Sequence, residues 1–225
     1  MTDLAERLEL VGRGRPLPAT GEVTLLPGPA GGAAVAAVLG FTAHHLIAAD
    51  LDPDWLKSAL DPTTDNAEIG RPMQPGFLAE LGVHLHARPG GQDVLLVSTG
   101  TSDLDCLDPD AAIVNPAGLD HPRADRALRY RDDVRVATKP GGLVTIGRGL
   151  ADRWEISIEV ETSHRGGGMG RALAEFGRTL VPGGALLWAQ VHPANVASLR
   201  VFLAAGYRPV GAEVLFTRAS GAPEQ

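Results

Sequence analysis

The segment from Trp154 to Arg171 constrains this 225-residue chain most, because three backbone patterns meet in it in close succession. Ile156, Ile158 and Val160 alternate with Glu155, Ser157 and Glu159, the period of two of a half-buried strand. After Thr162 the alternation gives way to Arg165-Gly166-Gly167-Gly168-Met169-Gly170. From Met169 the apolar residues Leu173, Phe176 and Leu180 recur at helical spacing, so a helix starts at or near Gly168. Strand, glycine loop and helix start follow one another. The first N–H groups of a helix lack intrahelical partners, and glycines before them let a ligand approach the main chain, so the junction suits a phosphate. Arg165 and Arg171 bring positive charge to the same place.

Glycine loops serve several nucleotide chemistries, and the spacing separates them. A P-loop ends in Gly-Lys-Ser/Thr, whereas this loop ends Gly170-Arg171-Ala172. A dinucleotide fingerprint needs Gly-x-Gly-x-x-Gly and, about twenty residues on, an acidic residue at the end of a second strand. Here the glycines are too closely set, and the next apolar strand, Ala185 to Val191, ends in His192-Pro193. Taken alone, the cluster is better read as a tight strand-to-helix turn.

The residues that follow add a second motif. His192-Pro193-Ala194-Asn195 turns into a helix from Val196 to Ala205, closed by Gly206. Arg165, Gly168 and Gly170 meet the pattern Arg/Gln-x-x-Gly-x-Gly/Ala. Asn195, Ser198, Gly206 and Tyr207 meet Asn-x-x-Ser/Ala-x-x-x-Tyr-x-x-x-Gly-Phe/Tyr, with Phe202 in place of its first tyrosine. In these two motifs the chain from about Val134 to Arg218 resembles the GNAT superfamily of acyl-CoA-dependent N-acetyltransferases. The resemblance implies an α/β GNAT fold, a mixed and mostly antiparallel central sheet flanked by helices, with an enlarged N-terminal half. On that basis residues 1–21 are a lead-in, 22–133 the N-terminal half with the acceptor side, 134–218 the acyl-CoA-binding core and 219–225 a disordered tail.

The same resemblance implies acetyl-CoA as cosubstrate and direct attack of a primary amine, on a small molecule or a peptide, at its thioester. Main-chain N–H groups of Gly166, Gly167, Gly168, Met169, Gly170 and Arg171 would hold the pyrophosphate beside Arg165. Ile158 and Val160 would pair with the pantetheine arm, and Asn195 and Ser198 would contact it nearer the thioester. Asn195 equally suits a helix N-cap. Glu155 and Glu159, on one face of the strand, are the candidate bases for the amine proton, with ordinary solvent-facing carboxylates as the competing reading. Phe202 replaces the tyrosine that serves many relatives as general acid, and Tyr207 belongs to the pair that usually packs. Two alternatives stay open: transfer of a different acyl group, and a non-catalytic acyl-CoA-binding or regulatory module. A homodimer is a common arrangement in the superfamily.

Charge and composition narrow the remaining classes. A formal charge of −7 argues against general affinity for nucleic acid or an anionic membrane. No apolar run reaches the roughly eighteen residues of a membrane span, and Met1 to Leu10 is acidic rather than signal-like. The single Cys106 rules out an internal disulfide framework, and a cytoplasmic location is the default. Only Lys57 and Lys139 are lysines among 20 basic residues, an arginine bias typical of GC-rich bacterial coding. His84 and His86 are spaced like ligands on a strand but lack a Cys or carboxylate cluster, so no metal site is expected.

Elsewhere the patterns predict a strand over Glu22 to Leu26 and a mostly buried helix over Ala33 to about Ala48, carrying His44 and His45. Further helices are expected from Asp52-Pro53, from Phe77 to about His86 and over Ala124 to Tyr130. Asp93 to Ser98 reads as a buried strand, and Val134 to Arg148 as a hairpin turning at Pro140-Gly141-Gly142. Asp61 to Pro75 and Thr99 to Pro122 read as loops, in which acidic residues would suit a cationic acceptor.

Overall fold

A computed structural model describes residues 3–61, 70–103 and 110–218. Cys106, the tail from residue 219 and the middles of both acidic loops lie outside them. The chain divides into two compact units, one of residues 1–30, 34–94 and 211–225, the other of residues 31–33 and 95–210. The expected N-terminal half is thus divided between the units at residues 94 and 95.

The first unit opens with α1 (Leu4–Gly12), capped by Asp3, whose side chain accepts from the Glu6 N–H. Its strands are β1 (Glu22–Leu26), β2 (Ala36–Phe41), β3 (His44–Ala48) and β4 (Ala87–Pro89), with the end of β11 (Arg208–Arg218). β1 runs parallel to β3, β3 antiparallel to β2, and β11 pairs antiparallel with both β2 and β4. α2 (Pro53–Ala59) starts as expected, with Asp52 capping and Pro53 at the first turn, and α3 (Pro75–His84) follows. Ala36, Val38, Ile47, Phe77, Leu81 and Phe216 form the centre of its core.

The expected helix over Ala33 to Ala48 is instead the β2–β3 hairpin. Ala36 through Leu39 and Leu46 through Ala48 are fully buried, so both faces of these strands are apolar and the period of two disappears from the sequence. The turn uses Ala43 at φ 48°, with none of the Asn-Gly or Asp-Gly signals that usually mark a hairpin. His44 is therefore a strand residue, its Nδ1 on the Pro18 carbonyl at 3.0 Å and its Nε2 on Thr24 Oγ1 at 3.1 Å.

In the second unit the strands stand in the order β5 (Asp93–Thr99), β10 (Leu186–Val191), β9 (Trp154–Val160), β8 (Gly142–Arg148), β7 (Asp132–Lys139) and β6 (Ala112–Val114). β6, β7, β8 and β9 pair antiparallel in turn, whereas β9 and β10 are parallel. The region read as a loop from Thr99 holds β6 and a short 3-10 turn at Pro116–Gly118.

Helices cover both faces. α4 (Pro122–Tyr130) packs Ala124 against Val136 and Leu143 on one. On the other, α5 (Met169–Gly177) lies so close that a Cβ on Gly177 would collide with Ile156 Cδ1. α6 (Val196–Ala204) packs against α5, and a Cβ on Gly170 would meet Val201 Cγ2 at 3.1 Å. No described helix is long and apolar enough to cross a membrane.

Candidate acyl-CoA site

β9 pairs with β8 along its whole length, from Trp154 opposite Arg148 to Val160 opposite Gly142. On its other side the ladder with β10 runs only from Trp154 to Ile156. Beyond Ile156 the two parallel strands part. The Glu161 N–H donates to the Gly141 carbonyl, which sets the phase of the antiparallel ladder. Odd-numbered residues of β9 therefore direct their main-chain groups to β8, and Ile158 and Val160 direct theirs to the edge that β10 has left. The Val160 carbonyl there accepts from Arg165 Nε at 3.3 Å. These are the two residues expected to pair with a pantetheine arm.

The strand runs on through a 3-10 turn, Thr162–His164, into the glycine loop. Gly166 and Gly168 take φ of 86° and 84°, a left-handed backbone that glycine adopts without penalty. Gly168 ends the loop as the N-cap of α5, and the first helical bond runs from the Ala172 N–H to the Gly168 carbonyl. The N–H groups of Met169, Gly170 and Arg171 thus precede the helical ladder and face outward at the positive end of the dipole. A Cβ on Gly166, Gly167 or Gly168 would meet nothing within 4 Å, so the loop is an open cradle. Arg171 is exposed and holds Glu175 at 2.8 Å, one turn along the helix. Open glycines, outward N–H groups and two nearby arginines fit a pyrophosphate.

At the start of α6, Asn195 is the N-cap, its Oδ1 accepting from the Ser198 N–H at 3.1 Å; Asn195 is exposed and Ser198 half-buried. His192 accepts from the Ala194 N–H through Nδ1 at 3.2 Å. Phe202 is buried and meets Tyr207 edge-on, with centroids 5.0 Å apart. The Tyr207 hydroxyl donates to the Ala174 carbonyl at 3.3 Å, and burial pushes its pKa far up. Neither ring offers a proton to a site at the surface.

The two candidate bases have different surroundings. Glu155 is 4% exposed, and its Oε1 accepts from Arg153 Nε, Gln190 Nε2 and the Leu150 N–H, while Oε2 accepts from Arg131 Nε. Burial pushes this carboxyl up, but Arg153 and Arg131 outweigh burial and hold it below the usual carboxylate range. Neither a solvent-facing carboxylate nor a base within reach of an acceptor describes Glu155. It anchors the sheet instead.

Glu159, on the same face, has a side chain 43% exposed and lines an open pocket with Leu119, His121, Thr138, Leu143 and Glu161. Its Oε2 accepts from Arg123 Nε at 2.8 Å and its Oε1 lies 4.0 Å from His121 Nε2. The Arg123 hydrogen bond, opposed by partial burial, lowers its pKa. Of the two carboxylates, this one is open to a ligand. Among the described residues no cluster of three or more His, Cys, Asp or Glu side chains could hold a metal.

No family model and no curated protein matches the chain. Solved structures do. A GCN5-related N-acetyltransferase from Kribbella flavida matches 65% of this chain and 65% of its own at 15% identity and a TM-score of 0.40. One from Sphaerobacter thermophilus matches 63% of this chain and 55% of its own at 16% identity and a TM-score of 0.38. A tandem GNAT protein from the clavulanic acid biosynthesis pathway matches 68% of this chain and 61% of its own, at 16% identity and a TM-score of 0.37. The chain resembles these acetyltransferases in fold. It spans less than two thirds of the length of each of the three, and the chemistry of the site is read from its own residues.

His121 and Arg123 were not visible as site residues in the sequence, where they sit at the end of an acidic stretch. Pro122 was the available signal. A proline at the first turn of a helix marks the residue before it as a cap, and His121 does cap α4, accepting from the Arg123 N–H.

Proposed function

We propose that the chain is an acyl-CoA-dependent N-acyltransferase that moves an acetyl group from acetyl-CoA to a primary amine. The parting of β9 from β10 after Ile156 carries this reading, because it sets an open strand edge directly before a glycine loop and a helix start. An extended pantetheine chain fits the edge as an added strand would, and the pyrophosphate fits the loop. Gly166 through Arg171 would hold the phosphates through N–H groups, with Arg165 and Arg171 as countercharge. Ile158 and Val160 would hold the arm, and Asn195 and Ser198 flank it from α6. Acetyl-CoA would supply an activated thioester carbonyl. Main-chain N–H groups at the β9 edge are preorganised donors for charge on a carbonyl oxygen, and Glu159 is the carboxylate open to an acceptor's proton.

Titration calorimetry with acetyl-CoA and with free CoA tests the donor site, beside a Gly168→Glu variant that sets a carboxylate where the phosphates would lie. Binding by the wild type and loss in the variant support the assignment. A wild type that binds neither ligand ends it. An amine screen with thiol release as readout then tests turnover.

A second reading, an acyl-CoA-binding module without catalysis, is favoured by one observation: Phe202 has no acidic hydrogen and Tyr207 is buried, so neither acts as general acid. Tight acetyl-CoA binding with no thiol release for any amine would select it.

A further inference from the structure

The polar groups at the start of α4 converge on Glu159 in an arrangement that its role as a carboxylate does not by itself require. His121 Nδ1 accepts the Arg123 N–H at 3.1 Å and so caps α4. A ring nitrogen that accepts an N–H carries no hydrogen of its own, so the neutral imidazole keeps its hydrogen on Nε2. That nitrogen faces Glu159 Oε1 at 4.0 Å, beyond direct hydrogen-bond distance, so Oε1 keeps its lone pairs free of His121. Arg123 commits its Nε to the other oxygen, Oε2, at 2.8 Å. One residue thus supplies the N–H that sets the tautomer of His121 and the guanidinium that holds Glu159.

We propose that His121 and Arg123 are positioning residues for Glu159, Arg123 fixing Oε2 and the Nε2–H tautomer of His121 facing Oε1, so that Oε1 is the oxygen presented to the acceptor. The proton-transfer part of this rests on the acyltransferase reading above; the positioning part does not. In the transfer an N–H bond of the acceptor ammonium breaks, an O–H bond forms on Oε1, and the nitrogen keeps the electron pair with which it attacks. Arg123 keeps Glu159 ionised, ready to receive that proton. The charged groups that face Glu159 are Arg123 and His121 from the start of α4 and Arg165 from the glycine loop, with Lys139 and Glu161 lining the same pocket.

Two measurements on the full-length protein decide the positioning without any acceptor. In 15N spectra of histidine-labelled protein, with the His121 signals assigned by loss in His121→Asn, the neutral ring is expected as the Nε2–H tautomer. An Nδ1–H tautomer overturns the proposal. In 13C carboxyl titrations, with Glu159 assigned by Glu159→Gln, Arg123→Gln is expected to move its midpoint upward and Arg123→Lys, which keeps the charge, to move it less. An unchanged midpoint in Arg123→Gln equally overturns it. Turnover is a separate arm: His121→Asn retains an oxygen that can cap α4, so acetyl-CoA affinity and melting temperature are expected to hold while kcat falls about tenfold. If both spectra come out as expected and no amine is turned over by the wild type, the positioning stands and the acyltransferase reading falls.

Discussion

Arg131 Nε lies 3.1 Å from Glu155 Oε2, and this contact is half of a pair. Eight residues earlier, Arg123 reaches Glu159 on the same strand. Eight residues advance a helix by about 12 Å, and the four from Glu155 to Glu159 advance a strand by about 13 Å. α4 is therefore tied to β9 near both of its ends, one tie buried and the other beside the pocket.

The buried tie is the one that folding depends on. Glu155→Gln would leave Arg131 and Arg153 short of their countercharge in the interior, and breaking a buried pair in this way costs about 3–5 kcal/mol. Denaturant titration should show that loss. Because the folded carboxyl is held below its unfolded value, its contribution is complete above the usual glutamate pKa of about 4.3 and is lost as pH falls through the folded value. Stability of the wild type should therefore drop more steeply in acid than that of Glu155→Gln.

Gly149 belongs to the same arrangement. A Cβ there would collide with the Glu155 carboxylate. Gly149→Ala should lower stability by about 1–3 kcal/mol, the usual range for overpacking, and thermal melts of Gly149→Ala and the Gly149→Ala/Glu155→Gln double variant should show that the two effects do not add.

Local signals make the candidate donor site legible in the sequence itself. The alternation in β9, the glycines and the first periodic residues of α5 are read within a few positions of one another, and the fold puts them where the pattern does. The β2–β3 hairpin was hidden because strands buried on both faces lose their alternation, leaving an apolar run that suits a helix equally well. The difference between Glu155 and Glu159 was hidden for another reason. Both fall on one face of one strand, and what separates them is Arg131, 24 residues away from Glu155 in sequence, together with the depth of each position in the sheet. Periodicity reports a face and is silent on depth.

Gly167 separates binding from folding. Its φ is not left-handed, and a Cβ there would meet nothing within 4 Å. Gly167→Ala should therefore leave stability within about 0.5 kcal/mol of the wild type. If phosphates rest against the loop, the added methyl intrudes on them, and affinity for acetyl-CoA should fall at least several-fold by calorimetry. Equal affinity in both proteins would mean that the ligand does not touch this stretch of main chain.

Tyr207 should matter to folding and not to chemistry. Its hydroxyl spends its hydrogen on the buried Ala174 carbonyl, behind Phe202. Tyr207→Phe removes that bond and should cost about 1 kcal/mol in a denaturant titration. Thiol release should be unchanged, since the phenol is buried and its hydrogen is committed to that carbonyl. A loss of turnover larger than the loss of folded protein would show that the phenol reaches the reaction after all.

Glu159 gives the expected pH dependence. It is the carboxylate that faces the pocket, and the Arg123 hydrogen bond holds its pKa below the usual range. A base must be ionised to act, so kcat/KM should be flat through the range in which free carboxylates titrate and fall only at lower pH, as Glu159 takes up a proton. The opposite limb belongs to the acceptor: the productive complex pairs ionised Glu159 with the ammonium whose proton it takes, so kcat/KM should fall again above the acceptor's own pKa. Arg123→Gln removes the hydrogen bond and the charge that hold Glu159 down; its acid limb should therefore move to higher pH. Glu159→Gln should abolish the acid limb, lower turnover by about 10²–10⁴-fold and leave acetyl-CoA affinity as it was. An acid limb that stays in place in Glu159→Gln would assign the base to another group.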